Sequence, residues 1–154
     1  MPDTRRRWPA RGWYGLFSPT PVLPITWWWE LFDDQKMTPY FRAVRTISGQ
    51  MLAAGRGQFQ PFAVQASVVQ SFGMRCGNKY FIYLLNDSPT ATRVPVSFGL
   101  STTQRLRVQA FAPAGQQFAY LGDFTAKNQR RTLPAPPLAL RQEVVLVLEA
   151  SPKN

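Results

Sequence analysis

Three consecutive indoles and a carboxylate, Trp27-Trp28-Trp29-Glu30, are the part of this sequence best suited to chemistry. Flat rings stack on the C–H face of a pyranose, and a carboxylate accepts hydrogen bonds from its hydroxyls, so the cluster has the parts of a sugar subsite. Along an extended strand successive side chains alternate. That places Trp27 and Trp29 with Ile25 on one face, and Thr26, Trp28 and Glu30 on the other. The face with Thr, Trp and Glu suits a wet cleft, while the purely apolar one suits burial. A second reading fits the same residues: all three indoles in the core, because Trp is highly buried on average, with Glu30 a solvated strand end.

Elsewhere the chemistry is narrow. The 154-residue chain has no histidine, which removes imidazole-dependent Ser or Cys triads and every His-ligated metal site. One cysteine, Cys76, excludes an internal disulfide and any multi-Cys metal site. It falls in an expected turn at 74–78 and reads as an ordinary thiol rather than a nucleophile. Neither metal nor cofactor is expected. The net charge of +10, from 18 Lys and Arg against 8 Asp and Glu, invites nucleic acid, with Trp8, Trp13 and Tyr14 as stacking rings. The basic residues are scattered, however, and no ribonucleoprotein motif appears at 79–85. The run Arg5-Arg6-Arg7 reads as a solvated tail, so nucleic-acid binding is the weaker reading. The apolar cluster at 25–32 is too short to span a bilayer, and no apolar segment of signal-peptide type follows the basic residues near the start. No membrane partner is expected, and the localisation stays open.

The elements that must position the Trp cluster can be read from periodicity. A strand at 24–30 follows a proline-rich loop and leads through a polar turn at 33–36 into a helix at 38–55. Thr38 suits the N-cap, Pro39 the first helical position and Gly55 the left-handed residue after the end. Phe41, Val44, Ile47 and Met51 recur at helical spacing. Strand, loop and helix make half a βαβ unit, whose strand needs neighbours. From residue 62 the period becomes two. Strands are expected at 62–68, 80–85 (apolar on both faces), 94–98 (an edge, given Pro95), 105–110, 118–121 and 144–148. Turn formers stand at 86–89, 112–115 and 122–123, and 130–137 reads as a proline-rich loop. The fold class is therefore mainly β: an antiparallel β-sandwich preceded by one strand–helix unit.

The run Pro24-Ile25-Thr26-Trp27-Trp28-Trp29-Glu30, preceded by Leu16-Phe17-Ser18-Pro19 and followed by Pro39-Tyr40-Phe41-Arg42-Ala43, resembles the end of a catalytic barrel. It is similar to the eighth strand and helix of bacterial cellulase-type glycoside hydrolases with a (β/α)8 fold. The remainder resembles the β-sandwich appended to such barrels, through Lys79-Tyr80-Phe81-Ile82-Tyr83-Leu84-Leu85 and Ala112-Pro113-Ala114-Gly115, the latter with Ala where the family has Asp. The resemblance implies a barrel-end remnant at 15–58 and an accessory sandwich at 59–154; residues 1–14, of which Met1 to Arg11 match nothing in that family, read as a basic, disordered leader. Such enzymes use two carboxylates, about 5–5.5 Å apart when retaining, at the ends of the fourth and seventh strands, both before the eighth. The implied chain is then non-catalytic: it has no catalytic residue, and Trp28, Trp29 and Glu30 bind substrate, Trp28 favoured by alternation. The implied partners are a polysaccharide or oligosaccharide and either the missing barrel or a second copy. The competing expectation within sugar binding is a stand-alone carbohydrate-binding sandwich using surface rings.

Overall fold

A computed structural model describes residues 13–18, 36–90, 95–100, 104–126 and 131–150. Helix α1 is Thr38–Gly55. The strands are β1 (Gln60–Phe62), β2 (Val64–Ala66), β3 (Gln70–Cys76), β4 (Lys79–Leu85), β5 (Pro95–Phe98), β6 (Gln104–Ala112), β7 (Gln117–Ala126), β8 (Arg131–Pro134) and β9 (Glu143–Ala150). They form a six-stranded sheet in the order β1-β3-β4-β9-β6-β7 and a three-stranded sheet in the order β2-β5-β8. Every pairing is antiparallel.

The apolar run at 80–85 does what its sequence predicts: β4 lies inside the larger sheet and is buried on both faces. Tyr80, Ile82 and Leu84 point to the smaller sheet, where they meet Val96, Phe98 and Leu133. Phe81 and Tyr83 point the other way, to a second core that contains Val44, Ile47 and Met51 of α1. Strand β9 repeats the pattern, Val144, Leu146 and Leu148 facing the first core and Val145 and Val147 the second. The described residues thus form a mainly β, antiparallel sandwich with one helix laid on the outer face of the larger sheet.

Helix α1 has the expected bounds, but each cap lies one residue further out than expected. Met37 is the N-cap and makes no side-chain capping bond, so Thr38 is already helical, with Pro39 in the first turn. At the other end Gly55 is helical and Arg56 takes the left-handed position (φ 47°), its N–H bonded to the Leu52 carbonyl at 2.9 Å. Gly55 serves close approach instead: a Cβ there would lie 3.1 Å from Cys76 Cβ. The β3–β4 hairpin completes this contact with a two-residue loop, Gly77-Asn78, in which Gly77 has φ 58° and lies against the Ala54 carbonyl. The buried stripe is Ala43, Val44, Ile47, Met51 and Gly55. Phe41, expected in it, is 51% exposed, since six residues from Ile47 amount to a rotation about 120° off the stripe.

Four further expectations are corrected. Strand β3 was hidden because Gln70, Ser71, Gly73 and Arg75 break any apolar pattern; Gly73, Met74 and Cys76 are buried, the last two under α1. Cys76 therefore ends a strand rather than sitting in a turn. Strand β5 is central in its small sheet, not an edge. Pro95 is tolerated as its first residue, opposite Pro134. The proline-rich stretch at 130–137 contains β8, an edge strand, where a missing N–H costs little. Lastly, Gly122 and Asp123 are not a turn but the middle of β7.

Candidate functional site

Among the described residues the chemistry-bearing side chains gather at the head of β9. Glu143 opens that strand and pairs with Leu85 of β4, which sets its side chain on the α1 side of the sheet beside Tyr83. The Tyr83 hydroxyl donates to Glu143 Oε2 at 2.9 Å. A helical turn at 13–16 lays two of its own rings and that of Phe17 over this pair. Trp13 stacks on Tyr83 at 5.7 Å between centroids, Phe17 lies at 6.0 Å, and Tyr14 meets Tyr83 edge-on at 6.1 Å. Phe72 of β3 closes the ring set at 6.5 Å from Tyr83 and 5.2 Å from Tyr14. At the rim the Tyr14 hydroxyl donates to Gln70 Oε1, and Gln70 Nε2 donates to Asp87 Oδ2 at 3.4 Å.

The electrostatics follow from enclosure. Burial pushes the Glu143 carboxyl above its ordinary value, while the Tyr83 hydroxyl and the Trp13 indole N–H oppose the shift by favouring the charged form. Tyr83 is raised by burial first and by the neighbouring Glu143 charge second. Tyr40 of α1 is raised in the same order, while Tyr14 is raised by burial first, then by the Asp87 charge and then by Glu143. Trp13 Nε1 and Glu143 Oε1 are both buried without a well-formed hydrogen bond. Five elements, the 13–18 turn, α1, β3, β4 and β9, therefore converge on one enclosed carboxylate.

Among the described residues this arrangement ties the 13–18 turn to the outer face of the larger sheet. A retaining glycosidase needs a second carboxyl about 5–5.5 Å away, and a neighbour that close raises the pKa of its partner strongly. Among the described residues Tyr83 and Trp13 are the groups that act on Glu143, and neither is an acid. No group of three or more His, Cys, Asp or Glu side chains among them could hold a metal. Cys76 is buried, and burial pushes its thiol up to about 12, which leaves almost no thiolate at neutral pH. No helix among the described residues is long and apolar enough to cross a membrane.

The sugar-subsite residues expected from sequence, Trp28, Trp29 and Glu30, lie outside the described residues. Trp13 and Tyr14, read from sequence as part of the basic leader and as exposed stacking rings, are used differently. Trp13 is fully buried and Tyr14 half-buried, both in the anchor. Sequence reasoning missed Glu143 because a lone acid before an apolar run looks like a solvated strand end. The available signal was its position, one residue ahead of a strand apolar on both faces. Nor are the sandwich rings all internal: Phe118 and Tyr120 are 37% and 56% exposed.

No family model matches this sequence, and no curated protein matches it. Among solved structures the chain is similar to one described as a glycoside hydrolase, over 94% of this chain, with a TM-score of 0.55 and 13% identity. It is also similar to a glycoside hydrolase family 5 protein from Bacteroides vulgatus ATCC 8482, over 75% of this chain, with a TM-score of 0.50 and 18% identity. The chain spans 32% and 25% of the lengths of these two structures. At such identities the likeness is one of fold: the chain is built like one part, a third to a quarter, of larger glycoside hydrolases.

Proposed function

We propose that this chain is the non-catalytic C-terminal part of a bacterial cellulase-type glycoside hydrolase. Residues 15–58 supply the last strand and helix of a (β/α)8 barrel, and 59–154 form the accessory sandwich. The observation that carries this reading is the place of α1, bound through a shared buried core to the outer face of a sandwich sheet. A barrel's last helix needs such a partner if barrel and sandwich are to hold one orientation. The likeness to larger glycoside hydrolases supports the same reading. In it Trp28 and Trp29 stack on a sugar, Glu30 accepts hydrogen bonds from its hydroxyls, and the Trp13–Tyr83–Glu143 cluster fastens barrel end to sandwich. The polysaccharide is cut by carboxylates on earlier strands of the parent barrel.

The test is an assay of the purified 154-residue chain on an aryl β-cellobioside. The expected rate is that of the buffer blank. Turnover by the chain, abolished by Glu30→Gln, overturns the reading.

A further inference from the structure

The outer face of the larger sheet is used unevenly. Helix α1 and the 13–18 turn cover it over β3 and β4. Toward β7 it is open, and there Arg105, Arg107, Phe118 and Tyr120 are all exposed. We propose that this face of β6 and β7 binds a carboxylated glycan, Tyr120 stacking on a pyranose ring and Arg107 taking the uronate carboxylate. The proposal rests on the sugar-active reading above and adds the ligand class and the place where it docks.

Three features of the patch carry it. Tyr120 is 56% exposed yet held in place, its hydroxyl donating to Asp123 Oδ1 at 2.8 Å, while Arg105 donates to Asp123 Oδ2 at 3.0 Å. A ring fixed before binding loses little freedom when a ligand lands on it. Next, the two arginines differ. Arg105 is ion-paired with Asp123. Arg107 reaches no carboxylate at ion-pair distance among the described residues, and its guanidinium lies over the Tyr120 ring, 5.5 Å from the centroid. A neutral sugar needs the ring alone, whereas a cation held at the ring favours an acidic one, because guanidinium matches a carboxylate with two parallel hydrogen bonds. Finally, the +10 charge of the whole chain draws an anionic polymer toward it.

A polynucleotide is the other anionic polymer with stackable rings. Asp123 separates the two through hydrogen bonding rather than charge: a pyranose chain carries hydroxyls that can donate to its carboxylate, and a DNA backbone carries none. The buried Trp13 removes a second stacking platform.

The experiment titrates the 154-residue chain with hexagalacturonate, cellohexaose and a thymidine hexanucleotide, following amide shifts on β6 and β7 by NMR. Wild type is compared with Tyr120→Ala, Tyr120→Phe and Arg107→Gln. Hexagalacturonate is expected to bind about tenfold or more tightly than the other two probes. Tyr120→Ala and Arg107→Gln each weaken it about tenfold, while Tyr120→Phe, which keeps the ring and reports on the fold, stays within about threefold. Hexagalacturonate binding unchanged in Arg107→Gln overturns the proposal, as does no binding at about 10 mM. Cellohexaose bound equally well, and lost in Tyr120→Ala alone, overturns the uronate assignment but leaves the sugar-active reading standing. Tightest binding of the hexanucleotide overturns both.

Discussion

Tyr120 and Asp123, three residues apart in one strand, present their side chains on the same face of the larger sheet, the Tyr120 hydroxyl donating to Asp123 Oδ1 at 2.8 Å. Simple alternation forbids this, since residues three apart in a strand point to opposite faces. A β-bulge makes it possible. Val108 pairs with Gly122 and Gln109 with Tyr120, so Leu121 has no partner and the phase of β7 shifts by one. Gly122, at φ 127°, takes the backbone angle the bulge requires.

The bond should be visible in titration. The Tyr120 hydroxyl foremost, and then Arg105, hold the Asp123 carboxyl below its ordinary 3.8, and Asp123 in turn raises the Tyr120 phenol above 10.0. Carboxyl-carbon NMR should find Asp123 titrating below 3.8. Tyr120→Phe should move it up and Asp123→Asn should bring the Tyr120 phenol down. By linkage the Asp123 contribution to stability is present above the ordinary value and is lost as pH falls through the lower folded one. An unmoved Asp123 in Tyr120→Phe would show that the phenol bond does not form in solution.

Glu143 carries the opposite sign. Its folded pKa lies above the ordinary 4.5 because of burial, so the folded protein binds more protons than the unfolded chain between those values. That contribution is complete below 4.5 and is lost as pH rises through the folded pKa. Urea midpoints measured from pH 4 to 8 should therefore show a downward component in wild type that Glu143→Gln removes. Glu143→Ala, which leaves the buried Tyr83 hydroxyl without its acceptor, should cost about 1–3 kcal/mol at all pH values. Parallel pH profiles for wild type and Glu143→Gln would refute the raised pKa.

Asn86 is the fully buried polar residue of the described part. Its side-chain N–H groups donate to the carbonyls of Thr90 (2.9 Å), Leu138 (2.9 Å) and Ala139 (3.1 Å), and its Oδ1 accepts from the Ser88 N–H at 2.9 Å. One amide thereby joins the end of β4 to the segment that leads into β9. Asn86→Ala strands these groups away from water and should cost about 2–3 kcal/mol in chemical denaturation, with an unchanged m-value. A loss below about 0.5 kcal/mol, the scale of an ordinary surface change, would mean that water replaces the amide.

Cys76 should be inert while the protein is folded. It is wholly buried where Gly55 meets β3, and its thiol is pushed up to about 12. A thiol reagent such as dithiobis(nitrobenzoate) should therefore react at the rate of unfolding, and at once in denaturant. Fast labelling under native conditions would show that the α1–β3 contact opens readily.

Much of the fold was legible along the chain, and the reason is periodicity. Val44, Ile47 and Met51 recur at helical spacing because one face of α1 must be buried. The runs behind β4 and β9 are apolar on both faces because each strand separates two cores. The sequence alone thereby determined the mainly β character of the chain and the helix at 38–55, and the composition removed imidazole and disulfide chemistry. Tertiary structure decided the rest, since the deciding contacts join residues far apart in the chain. Strand β3 has no apolar pattern of its own and is a strand because β4 pairs with it and α1 covers Met74 and Cys76. Glu143 is set apart from a solvated strand end by Trp13, 130 positions earlier, and Tyr83, 60 positions earlier. Tyr120 and Asp123 share a face because one residue slipped in the pairing of β6 with β7. Alternation reports which side chains share a face only while the register is unbroken, and register is a property of two strands together.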